Sequence, residues 1–212
     1  MLKENLTQYK QKNKKKHQKK MKKSLLAIAI AISLTSCSPT LKVKQLDAKT
    51  GKLPTETTLT QSEILVKKNI NLKEYNQFLF VKKSGLNMEK YETYILGTLK
   101  NIGGFQKYYI QTELEQYVIQ NGLTDKVTSI SDNIGLLNLS KNVGKFLICE
   151  SNVEYKGGYD FSFEYKVINP TNAEILLHIK HNAFNWGGLD RPLFNPVFNE
   201  YIDWLKENQN QQ

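Results

Sequence analysis

Few residues of this chain have the type and spacing that chemistry demands. Its two thiols are Cys37 and Cys149. Cys149 lies in Phe146-Leu147-Ile148-Cys149, a run with the character of a buried strand, where a free cysteine behaves as a small hydrophobe. No neighbour there would lower its pKa and make it a nucleophile. His178 and His181 invite a metal reading, but residues three apart on a strand project to opposite faces. No Cys, Asp or Glu cluster completes a site, so no metal and no cofactor is expected. Glu150, Glu154, Asp160 and Glu164 could be imagined as a general acid and base. Strand alternation instead sets Glu150, Glu154 and Glu164 opposite the large apolar residues or near strand ends, the pattern of a solvated sheet face. Gly157-Gly158 and Gly187-Gly188 lack the Lys-Ser/Thr of a phosphate loop and read as turns. Arg191, in Leu189-Asp190-Arg191-Pro192, is expected in a loop ion pair. No residue calls for a catalytic role, so the chain is not expected to be an enzyme. The aromatic connector Ala183-Phe184-Asn185-Trp186-Gly187-Gly188-Leu189 has two readings: Phe184 and Trp186 form an interaction surface, or they cap the core.

The remaining thiol, Cys37, ends a different kind of segment. Ser24 to Leu34 is uncharged and apolar, preceded by Lys22-Lys23 and followed by Thr35-Ser36-Cys37. Its length of about eleven residues suits the apolar core of an export signal and falls short of the ~20 that span a bilayer. The net charge of +10 over 212 residues is concentrated here. Residues 1–23 hold ten lysines and one acid, so the chain from Cys37 onward has 20 basic and 19 acidic residues. Once the leader is set aside, no basic footprint for nucleic acid remains. The lysine-rich residues 1–20 stand before Met21. They are a misassigned start, a long basic region of the signal, or a cytosolic arm on a signal anchor.

Downstream, Ser38 to Ser62 is rich in Thr and Lys, carries Pro39 and Pro54, and reads as a flexible tether with a reach of roughly 25–30 Å. Periodicity then predicts an α/β (α+β) fold: one mainly antiparallel sheet with three to four helices packed on it. Strands are expected at 63–67, 75–81, 107–110, 146–153, 159–168 and 174–184. Helices are expected from Asn87 to Ile102, from a capping box at Thr112-Glu113-Leu114-Glu115 to Val118, over Ser131–Asn142 despite the internal Gly135, and from Leu193 or Val197 to Lys206. Asn169-Pro170-Thr171-Asn172 joins the last two strands as a hairpin. The organisation expected is a leader at 1–36, a tether at 37–62, the domain at 63–206 and a frayed polar tail at 207–212.

Leu34-Thr35-Ser36-Cys37 resembles the lipobox of bacterial lipoproteins at every position. The resemblance implies diacylglycerol on the Cys37 thiol, cleavage before Cys37 and acylation of the new amine, palmitate among the chains. Such a thiol cannot also form a disulfide with Cys149. Several acyl chains exceed the threshold for stable anchoring. Ser38, where Asp would imply retention at the inner membrane, implies the outer membrane facing the periplasm if the cell has two membranes. Within the domain, Ile134 to Ile148, a helix ending in Lys and Gly that runs into a buried strand, followed by the Asn-Pro hairpin, resembles a group of envelope α/β domains. These are the TolB amino-terminal domain, the curli-secretion lipoprotein and the lipoprotein activators of penicillin-binding proteins. The motifs cover about 134–184. The resemblance implies a module that binds another envelope protein. A lipid or small-molecule carrier is the alternative, with Phe161, Phe163, Tyr165 and Trp186 lining its cleft.

Overall fold

Strand β2 (Phe78–Lys83) opens with Phe-Leu-Phe-Val because it is covered on both faces. Leu79 and Val81 join one apolar cluster, while Phe78 and Phe80 join another on the opposite side. The computed structural model describes residues 41–75, 77–84, 89–185 and 188–209. Cys37 and Trp186 lie outside them, and so do the start of the first predicted helix and residues 210–212 of the tail.

In chain order follow β1 (Ile64–Lys67), β2, α1 (Glu89–Ile102), β3 (Lys107–Tyr109), α2 (Gln111–Gln120), α3 (Asn133–Val143), β4 (Leu147–Gly157), β5 (Asp160–Asn169), β6 (Glu174–Phe184) and α4 (Asn195–Gln209). The six strands form one sheet in the order β1-β6-β5-β4-β2-β3. Pairs β1/β6, β6/β5 and β5/β4 are antiparallel, whereas β4/β2 and β2/β3 are parallel. The expected class is therefore present, and the parallel pairs are the part that local patterning left unspecified. They are parallel because α1 returns the chain to the starting end of the sheet between β2 and β3, and α2 with α3 does so between β3 and β4.

On the first face, α1 and α4 cover Leu79, Val81, Leu147, Cys149, Phe163, Tyr165, Val167, Leu177 and Ile179. The rings interlock: Phe163 lies 4.8 Å from Phe194, and Tyr165 lies 5.3 Å from Tyr201, both near edge-to-face. The stripe Val197, Phe198, Tyr201, Ile202, Trp204, Leu205 of α4 is buried. Each such side chain contributes roughly 1.5–3 kcal/mol. On the second face, α2 and α3 cover only the β3-β2-β4 end, where Phe78 stacks on Phe146 at 4.3 Å. Beyond that end the face carries Glu150, Glu164, Lys166, His178 and Lys180.

Three expectations need correcting. The first concerns the tether. From Leu41 to Leu59 the chain lies against the first face; Leu53 is buried, and Leu41, Leu46 and Leu59 are partly so. Asn199 of α4 brackets Leu53, accepting from its amide at 2.7 Å and donating to its carbonyl at 2.9 Å. Asn195 donates to the Pro54 carbonyl at 2.7 Å, and Lys52 pairs with Asp203 at 2.7 Å. Polar composition misled because these residues bind largely through backbone and side-chain tips. The second concerns the tail. Helix α4 runs to Gln209, Glu207 pairs with Lys67 at 2.9 Å, and Asn208 is fully buried. The third concerns the capping box, which is shifted. The Glu113 carboxylate reaches back to the amide of Ile110 at 3.0 Å, so α2 starts before Thr112.

Candidate interaction surfaces

The β4–β5 hairpin turns through Gly157 and Gly158, with φ of +111° and +60°, values that favour glycine. Around this turn stand Tyr155 and Tyr159, and β6 ends beside them at Phe184. These three are 62%, 56% and 52% exposed. Tyr155 packs edge-tilted on Phe161 at 5.2 Å, and Tyr159 on Phe184 at 5.5 Å. The Tyr155 hydroxyl donates to the Gly158 carbonyl, and the Asn185 amide to the Tyr159 carbonyl. Rings are thus held in pairs on a closed turn, which lowers the entropy lost when they meet a partner. Of the two residues picked from the connector, Phe184 belongs to this tip and is exposed, while Trp186 lies outside the described residues. Tyr155 and Tyr159 were missed by the sequence reading, although they flank the Lys-Gly-Gly turn that it identified.

A second apolar surface lies between α2 and the segment leading to α3. Leu114 and Val118 of α2 face the core, which leaves Ile119, one residue further round the helix, 64% exposed. Ile119 borders a groove of about 380 Å³ lined by Val118, Val127, Ile130, Thr124 and Thr128, with Glu115 at its edge. Ile134, three positions beyond the lining residue Ser131, is 73% exposed. No pattern marked this groove, because Val127 and Ile130 come from irregular chain.

The polar candidates separate as alternation requires. His178 lies on the second face, 2.7 Å from Glu164, which also takes Lys166 at 2.8 Å. Glu150 pairs with Lys82 at 3.1 Å on the same face. Asp190, not Arg191, makes the loop ion pair, with Lys44 at 3.9 Å; Arg191 instead offers its carbonyl to Thr55 at 2.7 Å. Cys149 is fully buried, and burial pushes its thiol up to about 12, which makes it inert near neutral pH. Of the four rings proposed to line a carrier cleft, Phe163 and Tyr165 are instead fully buried against α4, and Trp186 lies outside the described residues.

His181 is buried on the first face, between Glu63 and the loop before α4. Its Nε2 faces the Pro192 carbonyl at 2.8 Å and therefore donates, and its Nδ1 meets the Glu63 carboxylate at 2.6 Å. Burial alone would raise the Glu63 carboxyl, but the Thr60 amide, the His181 hydrogen bond and the Thr60 hydroxyl together hold it below its ordinary 4.5. A depressed folded-state value means stability that is present above 4.5 and lost as pH falls through the lowered value. Urea midpoints of wild type and Glu63→Gln should differ at neutral pH and converge as the pH falls through that lowered value. A gap that persists in acid would assign the difference to packing.

No protein-family model matches the chain, and no curated protein matches it. Among solved structures, it is similar to the C-terminal domain of LpoB from Escherichia coli at 18% identity, covering 53% of this chain and 85% of that one, with a TM-score of 0.37. It is similar to the PelC dodecamer subunit from Paraburkholderia phytofirmans at 14% identity, covering 70% and 98%, with a TM-score of 0.39. It is also similar to lipoprotein GNA1162 from Neisseria meningitidis at 13% identity, covering 64% and 98%, with a TM-score of 0.33.

Proposed function

We propose that this chain is a bacterial envelope lipoprotein, acylated on Cys37, whose domain is an accessory module that binds another envelope protein. The groove beside Ile119 is the observation that carries the protein-binding part. A groove of about 380 Å³ floored by Val118, Val127 and Ile130, with Ile119 exposed at its edge, suits a few aliphatic side chains of an amphipathic segment. Anchoring would confine the module to two dimensions and raise its effective concentration at a partner in the same envelope. The chemistry is that of recognition: apolar burial in the groove and, at its rim, Glu115 with the hydroxyls of Thr124, Thr128, Ser129 and Ser131.

A photo-crosslinking residue at position 134 should form an adduct with one envelope protein in cells. Ile119→Asp should abolish that adduct with little change in the unfolding midpoint, since an exposed substitution shifts stability by only about 0.5 kcal/mol. An adduct indifferent to Ile119→Asp would sink the groove reading. The anchor has its own readout. Cys37→Ser should leave the precursor unprocessed and free of acyl label, and normal processing of that variant would refute the lipoprotein reading.

A further inference from the structure

The aromatic tip and the point where the chain enters the domain lie at the same end of the sheet. Val43 packs on Gly97 of α1, and the carbonyl of Lys44 accepts from Asn101 at 2.9 Å. Traced backwards from Lys44, the chain therefore runs along α1 towards its N-terminus. That terminus follows the end of β2, whose Lys83 pairs with Ser151 of the parallel β4. The Lys44 ammonium lies 3.9 Å from Asp190, the first residue of the helical turn Asp190–Phe194 that precedes α4. From Ser151, β4 continues in the same direction for six residues to Gly157, about 20 Å of strand. Cys37 precedes Leu41 by four residues, a reach of at most about 14 Å. Leu41 is itself partly buried against the core. Acyl chains on Cys37 would hold the bilayer surface within that reach, and the projecting tip is then what the surface meets.

We infer that Tyr155, Tyr159, Phe161 and Phe184 form a membrane-seating tip that enters the headgroup region of the bilayer holding the acyl chains of Cys37. This rests on the acylated-lipoprotein reading. The chemistry fits that layer. Tyrosine is amphipathic and is enriched at membrane interfaces, where its ring lies in the apolar boundary and its hydroxyl stays wet. Lys156 and Asp160 at the turn offset each other, so the contact is apolar in character and does not depend on anionic lipid. Seating would fix the domain's orientation, converting a flexible attachment into a two-point one. The packed segment 41–59 makes this feasible, because a free 25-residue tether would have let the tip wander.

The test uses the acylated full chain in vesicles of phosphatidylethanolamine and phosphatidylglycerol. An environment-sensitive fluorophore is placed at Lys156→Cys, or at Lys141→Cys near the opposite end of the sheet. Headgroup-nitroxide lipid should remove about half or more of the emission at position 156 and leave position 141 unchanged. Tyr159→Ala with Phe184→Ala should relieve that quenching while the protein still floats with the vesicles. Equal response at both positions in a protein that floats would overturn the tip and leave the anchor reading standing. Failure to float, with no acyl label, would overturn the anchor and the tip with it. Crosslinking of position 156 to a protein, without lipid quenching, would assign the tip to a protein partner and overturn the inference.

Discussion

Gly135→Ala should destabilise the domain by about 3 kcal/mol, with the sign opposite to that of helix propensity. In an open helix, alanine for glycine stabilises by about 1 kcal/mol. Here a Cβ at position 135 would stand 1.6 Å from the Ser129 carbonyl oxygen, which is backbone and cannot swing aside. To admit it, Ser129–Asp132 must move. That motion pulls the Asp132 carboxylate off the Gly135 amide, the 2.8 Å bond that caps α3. Loss of such a cap costs about 1 kcal/mol by itself. Val127 and Ile130, both buried on the second face, would shift with the segment. Urea denaturation decides the matter: a higher midpoint in the variant would show that the helix tolerates a methyl group and that the close approach carries no weight.

Trp204→Ala should cost about 3–5 kcal/mol, the range for deleting a large aromatic from a core. The ring is fully buried, lies nearly parallel to Tyr201 at 6.2 Å, and donates from Nε1 to the Lys68 carbonyl at 2.8 Å. Alanine therefore leaves a cavity and also an orphaned carbonyl just past β1. Trp204→Phe should recover most of the packing but not the hydrogen bond, and should lose about 1–2 kcal/mol less than alanine. Near-UV circular dichroism and urea melts in a Trp186→Phe background isolate the effect. Equal losses for alanine and phenylalanine would make the Lys68 bond, not the packing, the dominant contribution.

The two substitutions mark where local reading works and where it stops. The apolar stripe of α4 was legible residue by residue, because burial against a sheet repeats every three to four positions. Gly135 was legible only as a weak point in a helix, since the sequence contains no sign that Ser129 folds back onto it. The His181–Glu63 pair joins positions 118 apart, and strand alternation could say only that His181 and His178 face opposite ways. The groove at Ile119 needed α2 to be placed before its outer face could be known.

The proposed leader and the acylation proposed at Cys37 rest wholly on the sequence, because signals of that kind are short linear patterns that need no fold. The β5–β6 hairpin was equally local: its turn, alternation and partner lie within 25 residues, and pairing followed as expected over Glu174–Phe184. Tertiary structure alone decided the fate of residues 41–62. Asn195 and Asn199 bind the backbone of Leu53 and Pro54 from 141 and 146 positions away, and backbone is the same whatever the side chains spell. It likewise decided how the segment at Val43 and Lys44 runs along α1, since the packing of Val43 on Gly97 and the bond from Asn101 to the Lys44 carbonyl together give it a direction. Composition describes what a segment can bury; where it lies depends on which distant surface has groups that fit its backbone.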